Sequence, residues 1–334
     1  MPHTTIPRSL RTLADGFLET PIVTSFTNIG YSARKRLHHW TPLGNYDLTG
    51  KVVVLTGAST GIGYAAAHEF ASLGATLVMI SRSADRIERA ADETRRFTGN
   101  PDVVAFAADM GDLSHVRRLA SELNSRFEHI DVLAHNAGAL TAQRIETPQG
   151  IESTVATHVV GPFLLTNLLL NTMRQNTMRH STPARVITMS SGGMYSAGVS
   201  AQQLQMDATS YNGTTQYARA KRAQVTLNEL WAERYGSEGL HFHALHPGWA
   251  DTPGVESALP MFGRVMGPLL RSPAQGADTM VWLAAADEAL TTNGGFWLDR
   301  QVRPTHKLPS TRRTDTAERR AELWTYVEVL SGRG

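Results

Sequence analysis

The chain of 334 residues is long enough for one large domain or two small ones with a sizeable core. Its 41% hydrophobic and 19% charged residues are typical of globular proteins, and a formal net charge of +2 does not indicate a nucleic-acid partner. The sequence has no cysteine, which excludes disulfides, thiolate metal sites and cysteine nucleophiles, and no histidine or carboxylate spacing suggests another metal site, so we expect none.

The first 46 residues precede the first predicted strand and are expected to form a helical extension. Residues 34–36, Arg-Lys-Arg, give its second half a basic face. Two interpretations stay open: the helices pack on the main domain or on a second subunit, or they lie on an anionic membrane surface. We find no secretory hydrophobic region and no apolar run near the roughly 18 residues that span a bilayer. We therefore expect a cytoplasmic protein, membrane-peripheral if the second interpretation holds.

From residue 51 onward, short β-branched runs alternate with helix-forming stretches. Strands are predicted at residues 51–55, 75–81, 103–107, 130–135, 185–189, 240–245 and 295–298. Helices are predicted at residues 64–73, 113–127, 151–178, 215–235, 273–286 and 316–330. Repeated βα units with short connections imply parallel strands. We predict an α/β fold, a Rossmann-type doubly wound parallel sheet of about seven strands with helices on both faces.

These patterns divide the chain into three parts. Residues 1–46 form the N-terminal helical extension, residues 47–307 the α/β domain, and residues 308–334 a C-terminal linker and helix. The linker is assigned to residues 308–315, which are mostly polar. The irregular stretch 253–271 is rich in apolar side chains and is assigned as a lid over a substrate.

The turn between the first strand and the following helix contains Gly57, Gly61 and Gly63. Glycines permit a tight turn and let the backbone approach a ligand closely. The helix N-terminus behind them offers free N–H groups and a positive dipole end to a pyrophosphate. A glycine-rich turn without a ligand is the alternative. The position after the first strand of a βα series favours the dinucleotide site.

The residues that follow the second strand, Ser81 and Arg82, bear on which dinucleotide would bind. NAD sites usually place an acid here for the ribose hydroxyls, whereas an arginine can bind a 2′-phosphate. The pair therefore favours NADP(H) over NAD(H), and a solvated loop arginine is the alternative. Asp109 and the run Asn136-Ala137-Gly138 also follow strands, at the edge where such sheets bind ligands.

Tyr217 and Lys221 stand four residues apart in a predicted helix and therefore share one of its faces. An ammonium beside a phenol favours the phenolate and lowers the tyrosine pKa. Such a tyrosine can serve as an acid or base near neutral pH. The isolated pair also occurs on solvated helix faces, so its significance depends on the other motifs.

Together these motifs resemble the short-chain dehydrogenase/reductase family, in its standard rather than its extended form. The resemblance spans residues 50–300 and rests on the order of six elements: Thr56 to Gly63, Asp109, Asn136-Ala137-Gly138, Ser190-Ser191, Tyr217/Lys221 and Pro247-Gly248.

The resemblance implies a role for each matching residue. Tyr217 would be the acid/base, Lys221 would lower its pKa and bind the nicotinamide ribose, and Ser191, rather than its neighbour Ser190, would bind the substrate oxygen. Asp109 would contact the adenine, Asn136 the ribose region, and Thr252 the nicotinamide carboxamide. The full expected NADP(H) site comprises Gly57, Ser59, Thr60, Gly61, Ile62, Gly63, Ser81, Arg82, Asp109, Met110, Asn136, Ala137, Gly138, Tyr217, Lys221, Pro247, Gly248, Trp249 and Thr252.

One residue departs from the family pattern. Three residues before Gly161, where the family often has an asparagine that supports a water-mediated proton relay, this chain has His158. An imidazole can bind a water and titrates near pH 6.5, so it could join the relay as a catalytic group or simply fill space. The nearby His135 is expected to pack against the sheet.

The expected function is an NADP(H)-dependent oxidoreductase that interconverts a carbonyl and an alcohol. If the apolar residues of 253–271 line the site, the substrate is apolar; the alternative is that they only pack a helix pair onto the core. A different class of protein stays open: a catalytically silent cofactor-binding sensor, or a membrane-surface scaffold that uses residues 1–46. We also expect a homo-oligomer, since relatives commonly associate through their helices.

Overall fold

The computed structural model describes residues 8–19, 22–180, 182–252, 261, 264 and 266–332. Within these residues the chain forms one sheet of eight strands in the order β3-β2-β1-β4-β5-β6-β7-β8. The strands are β1 (Val52–Thr56), β2 (Thr76–Ser81), β3 (Val103–Ala107), β4 (Val132–His135), β5 (Ala184–Met189), β6 (Leu240–Leu245), β7 (Phe296–Leu298) and β8 (Gln301–Val302).

The predicted doubly wound fold is confirmed. Strands β1 to β7 pair in parallel, and each of the seven predicted strands is present within two residues of its expected start. The eighth strand is an addition: β8 folds back antiparallel on β7 and pairs Gln301 with Leu298. A strand of two residues carries too little alternation to be recognised in the sequence.

Helices cover both faces of the sheet. Besides the predicted ones, α5 fills the connection between β2 and β3. Their bounds are α1 (Arg8–Glu19), α2 (Ile22–Phe26), α3 (Asn28–Leu37), α4 (Gly61–Ser72), α5 (Ala84–Thr98), α6 (Leu113–Arg126), α7 (Ser153–Val155), α8 (Gly161–His180), α9 (Gly213–Tyr235), α10 (Pro273–Ala285), α11 (Pro309–Arg313) and α12 (Ala317–Leu330). A π-helical turn, Ala156–Val160, joins α7 to α8.

The alternation of side chains along the strands divides the core into two layers. Val54 faces one layer, which contains α6, α8, α9 and α12, whereas Val53 and Leu55 face the other, which contains α4 and α10. Because both faces are covered, all five residues of β1 are buried. The sheet is therefore held from both sides, and its carboxyl edge forms a rigid platform.

The stretch Ser153–Met178 is apolar and long enough to span a membrane by composition alone, even though it contains no uninterrupted apolar run. In the fold it runs beside the sheet and 72% of its most apolar window is buried. It is therefore accounted for as a core helix.

The C-terminal segment also packs onto the core. The expected surface helix, α12, buries Trp324 against Phe163 and Trp231, with ring centroids 4.9 Å apart in both pairs. The stretch 308–315, assigned as a linker, contains the short helix α11, and Asp315 accepts a hydrogen bond from His306. The division into three parts remains a prediction.

The N-terminal extension is docked through buried charges. Arg34 is completely buried, and its five N–H donors reach Asp15, Glu19, Asp299 and both the backbone and side-chain oxygens of Ser25. The basic face expected at residues 34–36 is therefore wrong for Arg34, because three carboxylates surround it. Lys35 and Arg36 are exposed.

The extension contacts the turn between β7 and β8 through Asp299. Asp299 and Arg300 both have φ near +55°, the left-handed region that suits Asn-Gly turns better than this pair. Both side chains are buried in ion pairs, Asp299 with Arg34 and Arg271, and Arg300 with Asp278. The ion pairs hold the strained turn in place.

We predict that Arg34→Met destabilises the protein by about 3–5 kcal/mol, because removing one partner leaves buried carboxylates without a countercharge. Chemical denaturation would measure the free energy of unfolding. Arg36→Met, on the exposed face of the same helix, is the matched control and should change stability by less than about 0.5 kcal/mol. Equal effects of the two substitutions would contradict the docking.

Candidate active site

The strand register brings the predicted site residues to one edge of the sheet. Thr56 pairs with Ile80, His135 with Thr188, and Met189 with Leu245, so the carboxyl ends of β1, β2, β4, β5 and β6 lie side by side. The glycine turn, Asn136, Ser191 and Pro247 all follow directly from these strand ends. Residues far apart in sequence therefore face a common edge.

The glycine turn fits a pyrophosphate. Gly57 and Gly61 have φ of +69° and +57°, and a Cβ on Gly63 would collide with the backbone oxygen of Gly57. Thr60 precedes α4 without a side-chain cap, so the first N–H groups of the helix face the turn uncapped, with Ser59 and Ile62 beside them. These N–H groups could hold the phosphates of a dinucleotide.

Asn136 holds the turn from the neighbouring strand. Its Nδ2 donates to the backbone oxygens of Thr56 and Gly57, at 3.2 and 3.1 Å. In return, the hydroxyl of Thr56 accepts from the backbone N–H groups of Asn136 and Ala137. The sequence marks Thr56 only as the first residue of the glycine motif, whereas in the structure its hydroxyl braces the turn.

The residues expected around the adenosine half of a dinucleotide also follow strands at this edge of the sheet. Arg82 is exposed two residues beyond the end of the β1–β2 pairing, and Ser81 is half-buried. Asp109 is half-buried, and its carboxylate accepts a hydrogen bond from the backbone of Gly111 at 2.8 Å. Met110 is buried in the core. Arg82 therefore lies at the surface just beyond β2, whereas the side chain of Met110 is enclosed in the core.

Helix α9 carries Tyr217 and Lys221. The helix begins after Asn212, whose side chain accepts from the backbone N–H of Thr215 at 2.9 Å. One turn separates the two residues, and the Lys221 ammonium lies 5.2 Å from the centre of the Tyr217 ring. Lys221 is buried and donates to the backbone oxygen of Met189 at the end of β5. The helix is thereby fixed to the sheet edge.

Burial changes the expected acid–base properties of this pair. It raises the pKa of Tyr217 to about 12, against a smaller lowering by the hydrogen bond with Ser191. Burial also lowers the pKa of Lys221 to about 7. The lowered tyrosine pKa expected from the sequence is therefore absent in this structure, because loss of hydration disfavours the phenolate. At neutral pH Tyr217 holds its proton.

The structure distinguishes the two neighbouring serines. The hydroxyl of Ser190 is buried and donates to the backbone oxygen of Lys221 at 3.0 Å. Ser191 caps the turn that follows it, accepting from the backbone N–H of Gly193, and also hydrogen-bonds Tyr217. Ser191 is therefore the one of the two serines that contacts Tyr217.

His158 lies directly beside Tyr217, with ring centroids 5.4 Å apart. Its Nε2 contacts the backbone oxygen and N–H of Ala139, at 2.9 and 3.1 Å, and a Cβ on Gly138 would collide with the ring. Burial lowers the pKa of His158 well below 6.5, and the charge on Lys221 lowers it further. Titration near pH 6.5, expected from sequence, is therefore wrong for this residue.

A small cavity of about 30 Å³ lies behind His158, large enough to hold a water. Its lining includes His158, Gln224 and His135, and the Nε2 of His135 forms a hydrogen bond with the hydroxyl of Thr166 on α8 at 2.8 Å. Gln224 donates to the backbone oxygen of His158 at 2.8 Å. A neutral imidazole can still exchange hydrogen bonds with such a water.

The segment expected around the nicotinamide follows β6. Gly248 has a φ of +80°, and a Cβ there would collide with the guanidinium of Arg271. Trp249 and Thr252 are half-buried. Of the predicted lid 253–271, residues 253–260, 262, 263 and 265 lie outside the described residues. A separate cleft of about 340 Å³, between residues 196–204, α9 and Leu323, is not lined by Ser191, Tyr217 or Lys221.

Comparison with known proteins identifies the arrangement. Residues 51–261 match the family described as short chain dehydrogenase. The chain belongs to the short-chain dehydrogenase/reductase family. It is 38% identical over 274 residues to human dehydrogenase/reductase SDR family member 12, covering 81% of this chain and 84% of the relative. It is 31% identical to human retinol dehydrogenase 12 over 317 residues, covering 93% and 97%.

A solved structure shares both fold and sequence. The Pseudomonas aeruginosa RhlG/NADP active-site complex aligns with a TM-score of 0.60 and 25% identity, covering 77% of this chain and 96% of that one. The short-chain dehydrogenase/reductase is therefore an oxidoreductase of the alcohol/carbonyl type, with a Rossmann site for NAD(P)(H). Among the described residues there is no group of three histidines, aspartates or glutamates that could hold a metal.

We predict that His158→Asn leaves the shape of the pH–rate profile between pH 6 and 8 unchanged, because the imidazole is neutral throughout that range. Profiles of kcat with any accepted carbonyl substrate would measure this. An ionisation near pH 6–7 that disappears in the variant would contradict the lowered pKa.

The same lowered pKa has a consequence for stability. The unfolded chain takes up a proton on this histidine below pH 6.5 while the folded protein does not, so His158 destabilises the fold as pH falls. The variant should therefore lose less stability than the wild type between pH 7 and pH 5.

Proposed function

We propose that this short-chain dehydrogenase/reductase is an NADP(H)-dependent carbonyl reductase, acting on an apolar aldehyde or ketone with Tyr217 as proton donor. The observation that carries the proposal is the protonated Tyr217, hydrogen-bonded to Ser191 and beside buried Lys221, at the edge that bears the glycine turn. A phenol with a pKa of about 12 keeps its proton at neutral pH and can give it to a developing alkoxide.

The bound nicotinamide supplies the hydride for this chemistry. The chain's own groups handle the substrate oxygen: Ser191 donates a hydrogen bond to it, and Tyr217 donates the proton that completes the hydroxyl. One hydride and one proton together convert the carbonyl to the alcohol. In the reverse direction Tyr217 would have to accept the proton of the alcohol, so it would first have to be deprotonated. Its raised pKa disfavours that phenolate form.

Lys221 serves this step through its charge and its position. Its ammonium lies near the Tyr217 ring, where it favours the phenolate left after proton donation. Because burial lowers its pKa to about 7, Lys221 can itself pass a proton near neutral pH. His158, neutral and packed on Tyr217, orients the phenol ring.

Two features support NADP(H) over NAD(H). Arg82 is exposed at the end of β2, where a guanidinium can bind a 2′-phosphate bidentately. The similar Pseudomonas aeruginosa structure is an NADP complex. The similarity to retinol dehydrogenase 12 supports an apolar substrate, because retinol is an apolar alcohol.

A second role, a scaffold on a membrane surface through residues 1–46, has one supporting observation. Phe17 is 80% exposed on α1, and Lys35 and Arg36 are exposed on α3. An exposed aromatic residue with nearby basic groups suits an anionic membrane. Membrane contact, cytoplasmic location and homo-oligomer formation remain predictions beside the enzyme.

We predict that Tyr217→Phe lowers kcat about 10²–10⁴-fold while nucleotide affinity changes little, because the phenol acts on the substrate oxygen. Carbonyl reduction would be followed by loss of NADPH absorbance with a panel of apolar aldehydes and ketones. Tyr195→Phe is the matched control: this buried tyrosine donates to the backbone oxygen of Pro304 and should keep most activity. Retention of activity by Tyr217→Phe would overturn the assignment.

We predict that Arg82→Ala weakens NADPH binding about 10–100-fold and leaves NADH binding within about twofold, because only NADPH carries the phosphate. Titration followed by energy transfer from tryptophan to the nicotinamide would give both dissociation constants. Arg86→Ala, exposed on the first turn of α5, is the control for general loss of positive charge. A parallel loss for both nucleotides would refute a 2′-phosphate contact.

A further inference from the structure

The N-terminal extension makes direct backbone contacts with the segment that follows β6. The N–H of Trp249 donates to the backbone oxygen of Phe26 at 2.7 Å. On the other side, Arg271 donates its N–H to the oxygen of Trp249 at 2.7 Å and accepts from the N–H of Asp251 at 2.8 Å. The backbone of Trp249 is therefore hydrogen-bonded to the extension through its N–H and to Arg271 through its oxygen.

The Arg271 side chain adds hydrogen bonds to these contacts, which together form a joint between residues 25–28, residues 247–252 and Arg271. A guanidinium has five N–H donors, and here every one has an acceptor. Two reach Asp299, at 2.6 and 2.8 Å, and one reaches the oxygen of Pro247 at 3.1 Å. The remaining two reach the backbone oxygens of Thr27 and Ser25, at 3.2 and 3.1 Å. One fully buried side chain thus binds the extension, the β7–β8 turn and the segment after β6.

Aromatic packing and one exposed hydrogen bond add to this joint. The Phe26 ring packs edge-on against His246 and Trp249, with centroids 4.3 and 5.7 Å apart. Asn28 donates from its side chain to the backbone oxygen of Pro268 at 3.3 Å. The turn Ser25–Asn28 therefore touches both the residues after β6 and those leading to Arg271.

We propose that the turn of residues 25–28, acting through Arg271, is a positioning element of the nucleotide site. It sets the backbone of residues 247–252 and thereby the affinity for the nicotinamide nucleotide. This proposal rests on the proposed function, and it takes residues 247–252 as the nicotinamide-binding segment that the family resemblance implies. Arg271 is a positioning residue, since the structure shows it acting on the loop backbone.

Nucleotide affinity depends on the fraction of the protein in which residues 247–252 have the conformation that binds. A ligand that needs one loop conformation binds with an apparent dissociation constant raised by the inverse of the fraction in that conformation. The joint uses backbone hydrogen bonds and a buried guanidinium, which specify position more tightly than apolar packing does. Loosening the joint should lower the competent fraction without touching Ser191, Tyr217 or Lys221.

The test uses the full chain with three variants. Arg271→Lys keeps the charge but cannot reach five acceptors, and Phe26→Leu removes the edge-on packing as a milder change that keeps an apolar side chain. Tyr31→Phe is the matched control, because Tyr31 is buried in the same extension and its hydroxyl donates to Asp278, not to residues 247–252. All are measured where thermal denaturation shows them folded.

Two measurements are made on each variant. NADPH titration gives the dissociation constant, and hydrogen exchange with mass spectrometry reports on peptides that cover residues 247–252 and 217–221. We expect the dissociation constant of Arg271→Lys to rise about tenfold and that of Phe26→Leu about threefold, with faster exchange at 247–252 only. Tyr31→Phe should stay within twofold of wild type on both readouts.

The outcomes separate the two proposals. Wild-type protein that binds NADPH, with Phe26→Leu and Arg271→Lys binding equally well, would overturn the positioning role alone. Wild-type protein that binds neither NADPH nor NADH would overturn the proposed function and this proposal with it. If Arg271→Lys does not fold, the result with Phe26→Leu decides.

Discussion

The charges buried at the turn between β7 and β8 are the constraint on which the rest of this structure depends. Asp299 lies between Arg34 and Arg271, and both guanidiniums use all their donors on it and on neighbouring oxygens. A carboxylate in this position cannot be left unpaired without a large desolvation cost. The cluster therefore joins three parts of the chain in one arrangement, including an otherwise unfavourable turn with two positive φ angles.

Further charges extend the cluster into the extension itself. Burial alone would raise the pKa of Asp15, but Arg303 and Arg34 hold it below its usual value. Asp15 thus stays ionised and binds both arginines, at 2.5 and 2.8 Å. The extension is in this way fastened to the residues after β8 as well as to the turn. Buried ion pairs therefore join the extension to the sheet-bearing part of the chain.

The same effect of burial, loss of hydration, sets the protonation states of the candidate active site. It raises the pKa of Tyr217, lowers that of Lys221 and keeps His158 neutral. Each shift moves the group toward its uncharged form, as desolvation requires. A neutral phenol beside a lysine that titrates near pH 7 suits proton donation during carbonyl reduction. The sheet edge supplies the geometry, and the buried setting keeps Tyr217 protonated at neutral pH.

The fold and the cluster of site residues could be predicted because their signals are local or ordered along the chain. Gly57, Gly61 and Gly63 lie within seven residues and indicate a tight turn. Tyr217 and Lys221 share a helix face because of their spacing alone. Parallel strands then place such motifs on one edge. The roles implied for individual residues remain predictions that the experiments above address.

The sequence left open whether the extension packs on the main domain, and the buried charges that dock it there could not be predicted. Arg34 sits in an Arg-Lys-Arg run and looks like a solvated base, while its partners Asp15 and Asp299 lie 19 and 265 residues away. Nor could spacing reveal that burial outweighs the effect of Lys221 on Tyr217, because desolvation depends on the whole surrounding core. Long-range charge pairing and burial are properties of the folded chain.

The most direct test of the central claim is to follow the transferred hydrogen. The protein would reduce an apolar carbonyl with NADPH that carries deuterium in the transferable position at C4, and mass spectrometry would analyse the alcohol. The account predicts one deuterium on the carbinol carbon and matching loss of NADPH absorbance. Alcohol without deuterium, or no alcohol from any carbonyl while the nucleotide is bound, would contradict the claim that this site carries out hydride transfer.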